Sequence, residues 1–195
     1  MTIWRTSRSF KHGQVAGIVS SSTEIIGVRY SHWTDTSQKV PTILSQKKPH
    51  RWGYQVTEQM ESIQGVKLLL DGSQKFRYLP AVESEAAIEN MKSTPIEVSG
   101  KYLKFLVDHA KELLQKRFGT ALRTMQLDYI LTVPAVWSDK AKDATLQAAC
   151  LAGISRSNLF LLSEPEAAAV YAIRTIQPNS LAVGDPRNRL EHYLH

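Results

Sequence analysis

Apolar and polar positions change their spacing several times along this chain. Val15-Ala16-Gly17-Ile18-Val19 and the run from Ile25 to Tyr30 flank the polar stretch Ser20-Ser21-Ser22-Thr23. Two β-rich runs around a polar turn predict a β-hairpin. Trp52-Gly53-Tyr54-Gln55-Val56 reads as a further short strand, and Asp71 to Pro80 as turn-rich chain. From Ser99 to Arg117 the spacing becomes helical. Leu103, Leu106, Val107, Ala110, Leu113 and Leu114 form an apolar stripe, and Lys101, Lys104, Asp108, Lys111, Glu112 and Lys116 supply polar positions. This pattern predicts a core-packing amphipathic helix, capped at Ser99 and stopped at Gly119.

The densest pattern runs from Tyr129 to Ile176. Tyr129-Ile130-Leu131-Thr132-Val133 predicts a buried strand ended by Pro134. Ser138 then offers an N-cap, and Asp139 places negative charge on the first helical turn. Ala141, Ala144, Thr145, Ala148, Ala149 and Ala152 recur at helical spacing, a small-residue face suited to lying close on a sheet. Gly153 ends that helix. Leu159-Phe160-Leu161-Leu162 predicts a second buried strand, and Glu164-Pro165-Glu166 opens a helix with proline in its first turn. Strand, helix, strand, helix argues for an α/β layer with parallel strands.

Composition narrows the class. The 195 residues are 43% hydrophobic and 22% charged, ordinary values for a folded soluble chain. The net charge of +6 raises the prospect of an anionic partner. The positive residues are dispersed, however. Arg5, Arg8 and Lys11 lie near the start, and Lys39, Lys47, Lys48 and Arg51 around a loop, so nucleic acid is a third-ranked partner. Cys150 is the single cysteine, which excludes an internal disulfide and fits a reducing compartment; within its alanine-rich helix it is expected to be a small buried side chain. With no signal-type or membrane-length apolar run, a cytoplasmic location is expected. His192 and His195, three apart, lack the carboxylate or thiol partners of a metal site. No Gly-x-Gly-x-x-Gly, Gly-Lys-Ser/Thr, His-Glu-x-x-His or Gly-x-Ser-x-Gly motif occurs.

The run Thr132-Val133-Pro134-Ala135, a helix, and a strand entering Glu164-Pro165-Glu166-Ala167-Ala168-Ala169 resembles the ATPase domain of the heat shock protein 70 family. Trp137, and Glu166 where the standard chaperones carry threonine, are similar to a divergent, chaperone-like branch. The resemblance covers about Val15 to Asp185. It implies the first lobe of an actin-like (ribonuclease H-like) ATPase fold, α/β, with a mixed sheet, flanking helices and a small α+β subdomain. The implied layout is a disordered tail at 1–12, a main subdomain from 13–38 plus 119–185, an inserted subdomain with return helix at 39–118, and a divergent tail at 186–195.

The resemblance also implies a cofactor, ATP or ADP with Mg²⁺, and a set of site residues. Glu164 matches the family's glutamate near the magnesium-bound water network, and Lys67, in Val66-Lys67-Leu68-Leu69-Leu70-Asp71, matches a lysine that reaches towards the transferred phosphate. Ser22 and Thr23 fall at the tip of the family's first phosphate hairpin, whose Asp and loop Gly are absent here. Pro134 matches a proline that couples nucleotide state to motion. No direct metal ligand is implied; Glu164 would act through water. Leu181-Ala182-Val183-Gly184-Asp185 resembles the approach to the second phosphate loop, but Pro186-Arg187-Asn188-Arg189 stands where the family has Asp-x-Gly-Gly-Gly-Thr. The expectation is a partial nucleotide-binding domain, apparently truncated, with little or no ATP hydrolysis. The rival reading is a non-catalytic interaction module, with protein partners or self-association through an exposed inter-lobe face and no membrane contact.

Overall fold

The computed structural model describes Thr2–Ile3, Gly17–Ser20, Ile25–Gly27, residues 40–72 and residues 79–175. The fold is α/β, built around a mixed five-stranded sheet. Its strands are β1 (Thr2–Ile3), β2 (Gly17–Ser20), β3 (Ile25–Gly27), β6 (Leu127–Val133) and β7 (Leu159–Ser163), while β4 (Ile43–Ser45) and β5 (Ser62–Gln64) form a separate antiparallel pair. The helices are α1 (Leu79–Asn90), α2 (Pro95–Phe118), α3 (Asp139–Leu151) and α4 (Glu164–Thr175).

β6 is the centre of the sheet. Along one edge it pairs with β7 in parallel, from Tyr129↔Leu159 to Val133↔Ser163. Along the other edge β1 and β2 follow one another, both antiparallel, with Thr2↔Thr132 and Gly17↔Ile130. β3 pairs with β2 to complete the expected hairpin. The parallel arrangement expected within Tyr129–Ile176 therefore holds for β6 and β7, which a crossover helix joins, and antiparallel β2 makes the sheet mixed. No such crossover dictates the direction in which β2 enters. Thr2–Ile3, in the segment expected to be a tail, is a paired strand; Ser22, Thr23 and residues 186–195 lie outside the described residues.

α3 lies on the sheet through the small-residue face read from the sequence. Ala141, Thr145, Ala148, Ala149 and Ala152 are all buried, and Ser138 accepts a hydrogen bond from the Ala141 N–H as N-cap. Gly153, at φ 87°, ends the helix. α2 packs across α3, and its Leu103, Leu106, Val107 and Leu114 join Leu44, Trp52, Ile63, Leu131 and Leu159 in one core. The β4–β5 pair and the main sheet thus share apolar contacts through α2. Tyr102 reinforces the link: its hydroxyl donates to the Pro41 carbonyl at 3.1 Å, and burial pushes its ionisation up to about 12.

Several expectations need correction. α2 starts at Pro95, capped by Thr94 in a reciprocal box with Glu97, so Ser99 is an interior residue, 1% exposed. The signal Thr94-Pro95-Ile96-Glu97 was present in the sequence. Hydrogen bonds from the Thr94 backbone, then Ser93 and the Thr94 hydroxyl, lower the Glu97 carboxyl pKa. Residues 52–56 are not a strand: Trp52 makes one bridge to Leu44, then Gly53 at φ 56° turns the chain into the 3-10 helix Gly53–Gln55. Residues expected to be turn-rich include the start of α1, whose buried face is only Ala81, Ser84 and Ile88, too small and polar to stand out as a stripe. Cys150 is exposed, because it sits one helical step beyond the inward Ala149. β7 is only partly buried, with Phe160 52% exposed on the face opposite Leu159.

Gly100 sets the approach of α2 to α3. A Cβ there would lie 2.9 Å from Leu151 Cβ and 3.0 Å from the Ala148 carbonyl oxygen. Alanine would gain up to about 1 kcal/mol of helix propensity, but overpacking costs about 1–3 kcal/mol. Gly100→Ala is expected to lower stability by about 1 kcal/mol in urea denaturation. A midpoint at or above that of the parent would show that the two helices can part without cost.

Candidate functional site

The parallel register between β6 and β7 brings two chain segments out at one end of the sheet. Val133 pairs with Ser163, so Pro134 and Glu164 both follow the carboxyl ends of adjacent parallel strands. Open α/β sheets place ligands at such ends. After Pro134 the chain turns, with the Trp137 N–H donating to the Pro134 carbonyl at 3.2 Å, and enters α3 at Ser138. After Ser163 it enters α4 at once.

That second entry is a capping box. The Ser163 N–H donates to Glu166 Oε2 at 2.9 Å, and the Glu166 N–H donates to Ser163 Oγ at 3.3 Å. The Ser163 hydroxyl and backbone hold the Glu166 carboxyl below its usual range. Ser163-Glu164-Pro165-Glu166 carries the Ser-x-x-Glu signal of such a box, beyond the helix start that Glu164-Pro165-Glu166 alone predicts. Its effect is to fix the first turn of α4, on which Glu164 stands.

Lys67 arrives from a distant segment. It lies in the 3-10 helix Val66–Leu70, preceded by Gly65 at φ 64°. Lys67 Nζ is 2.8 Å from Glu164 Oε1, an ion pair spanning 97 residues of sequence. The lysine side chain is 12% exposed and that of the glutamate 44%, so the pair has a covered side and an open side. Lys67 Nζ also lies 5.6 Å from the ring centroid of Trp137. Trp137 is buried among Leu70, Val133, Ala141 and Ala144. The segment is tied at its far end as well: Ser138 Oγ donates to the buried Asp71 carboxylate at 3.5 Å.

The structure therefore brings Lys67 and Glu164 together and places half-buried Pro134 on the turn leading to Trp137. Ser22 and Thr23 lie outside the described residues, so their relation to the pair is not drawn. The Trp137 contact was missed because nothing in sequence links positions 70 residues apart. Chemically, a covered cation beside a partly open carboxylate suits an anionic oxygen ligand and a hard, hydrated cation. The chemistry of this donor pair is compatible with the Mg-nucleotide that the resemblance implies. Among the described residues no cluster of three or more His, Cys, Asp and Glu could hold a metal directly, and no helix is long and apolar enough to cross a membrane.

Comparison with known proteins gives a consistent result. The family model for Hsp70 protein matches residues 34–185. Heat shock 70 kDa protein 12B of Homo sapiens is 39% identical over 87 residues, covering 42% of this chain and 13% of that protein. A chaperone protein HscA homolog of Acinetobacter baumannii is 40% identical over 101 residues, covering 52% and 14%. Chaperone protein DnaK of Ureaplasma urealyticum is 32% identical over 92 residues, covering 47% and 14%. These alignments span only about one seventh of the length of each relative. No solved structure matches.

The ion pair can be tested without a ligand. Because the glutamate is partly solvated, a double-mutant cycle of Lys67→Met and Glu164→Gln should give a coupling of about 0.2–1 kcal/mol at low salt, weakening as salt rises. A coupling of zero at low salt would show that the two side chains do not pair in solution.

Proposed function

Because the chain belongs to the Hsp70 protein family, we propose that it forms part of a nucleotide-binding domain whose phosphate end is marked by Lys67 and Glu164. The observation that carries this reading is their 2.8 Å contact at the carboxyl ends of β6 and β7. The two side chains come from separate segments, and the resemblance implies nucleotide chemistry for each. Lys67 would neutralise charge on terminal phosphate oxygens, which is most of what a protein contributes to phosphoryl transfer. Glu164 would hold water bound to Mg²⁺, and the ion itself supplies charge neutralisation across the phosphates. Pro134, between β6 and Trp137, is the proposed coupling point. Thr23 and Ser22 would add hydroxyl donors on the phosphate side.

Binding and turnover separate in this reading. Ser20-Ser21-Ser22-Thr23 lacks the Asp and Gly of the family's first phosphate loop, and Asp185 is followed by Pro186-Arg187 where the second has glycines. Glycine lets backbone N–H groups approach a phosphate; serine hydroxyls do not replace that cradle or the missing carboxylate. One lost electrostatic contact costs about 3 kcal/mol of transition-state stabilisation. Several such losses leave weak Mg-ATP contact and no useful hydrolysis. The purified chain is expected to release no phosphate above background, beside a Glu164→Gln control. Turnover that disappears in the control would overturn the inactive reading and establish a working site.

One observation favours a second reading, that of an interaction module. Phe160 on β7 and Val170 on α4 are 52% and 47% exposed on consecutive elements, and Val136 is 83% exposed. Exposed apolar groups of this size favour association. Sedimentation velocity is expected to show concentration-dependent self-association, and a single sharp monomer at high concentration would remove this reading.

A further inference from the structure

Lys67 has two partners of different kind, and the difference has chemical content. Residues three apart on a 3-10 helix lie over one another, so Lys67 and Leu70 project from one face of Val66–Leu70. Both meet Trp137: Leu70 packs with it in the apolar cluster, and the Lys67 ammonium lies 5.6 Å from its ring centroid. The ring cannot easily move. It is 3% exposed, walled by Val133, Ala141 and Ala144, and held at its backbone by the turn from Pro134 and the cap at Ser138.

A lysine with a side chain only 12% exposed needs its charge satisfied. A second carboxylate would do this but would also neutralise the ammonium and compete with any incoming anion. An aromatic face attracts the cation through its quadrupole and leaves the charge uncancelled; tryptophan does so best.

We infer that Trp137 is the positioning residue for Lys67, holding its ammonium in place independently of Glu164, so that an anionic phosphate oxygen can pair with a cation already fixed at the strand ends. The placement of the ammonium stands on the contacts alone; the phosphate ligand rests on the nucleotide reading above.

The test uses the full chain with lysine side chains labelled for NMR. The Lys67 ε-methylene, identified by its loss in Lys67→Met, is expected upfield of the other lysines through the ring current of Trp137. It should stay upfield in Glu164→Gln. Affinity for tripolyphosphate should fall about three- to tenfold in Trp137→Leu and less in Trp137→Phe, which keeps the apolar contact with a weaker π face. If Trp137→Leu does not fold, the Trp137→Phe loss carries the comparison. An ε-methylene that is not upfield in the parent, or returns to the ordinary position in Glu164→Gln, overturns the inference. So does a measurable tripolyphosphate affinity of the parent that is unchanged in both Trp137 variants. A shift that persists in Glu164→Gln while the parent binds neither tripolyphosphate nor Mg-ATP upholds the positioning role and removes the nucleotide reading instead.

Discussion

The parallel pairing of Leu127–Val133 with Leu159–Ser163 is the constraint from which the site follows. Parallel neighbours cannot be joined by a tight turn, so the chain must cross back over the sheet between them. α3 makes that crossing, and its alanine face lets it lie close enough to bury Ala141, Ala148 and Ala149 completely. The register then decides which residues emerge together. With Val133 opposite Ser163, Pro134 and Glu164 leave from the same end. A slip of one residue would exchange the two faces of β7 and bury Phe160 in place of Leu159. Closeness propagates outward: Gly100 lets α2 settle on α3, and α2 carries the core that ties β4, β5 and the 3-10 helix Val66–Leu70 to the sheet. The position of Lys67 is thus a consequence of packing two layers away.

Elements with a strong local pattern were legible in the sequence. The strand before Pro134, the alanine-faced helix ending at Gly153 and the stripe of α2 needed only spacing and end signals, and Gly119, at φ 55°, does stop α2. Failures came where two local signals competed or where a pattern was faint. Ser99 reads as a cap at the head of the stripe, but only Thr94 has a glutamate three residues on and a proline at the first helical position. Trp52 to Val56 looked extended until Gly53 took a positive φ. α1 buries two small side chains and one isoleucine, which leaves little periodicity to detect.

The candidate site residues come from the sequence by a different route. Glu164 and Lys67 were identified through resemblance of short motifs, and no spacing argument could have joined positions 97 residues apart. What resemblance did not supply was the surroundings. Trp137 stands out in the sequence only as an unusual residue after Pro134-Ala135-Val136, and its contact with Lys67 joins it to a segment that sequence places far away. Asp71 is similar: a buried carboxylate reached by the Ser138 hydroxyl has no local signature. Interactions that position a functional group are mostly non-local, whereas those that build its supporting helix are local.

The two glutamates at the start of α4 show how such a division of labour is achieved. Both lie near the positive end of the helix dipole, where a carboxylate is favoured. Glu166 is three residues after Ser163 and folds back to accept its backbone N–H, which closes the capping box. A threonine there, as in the standard chaperones that this stretch resembles, is too short to reach back in this way. Hydrogen bonds from the Ser163 hydroxyl, then from its backbone N–H, lower the Glu166 pKa, so the cap's contribution is complete above the ordinary carboxylate range and is lost as pH falls through the depressed folded value. Glu164, at the first position of the same helix, is left out of the cap and projects to Lys67 instead. One carboxylate therefore fixes the helix end, and the other, standing on that fixed end, is available for the cation across the strand termini.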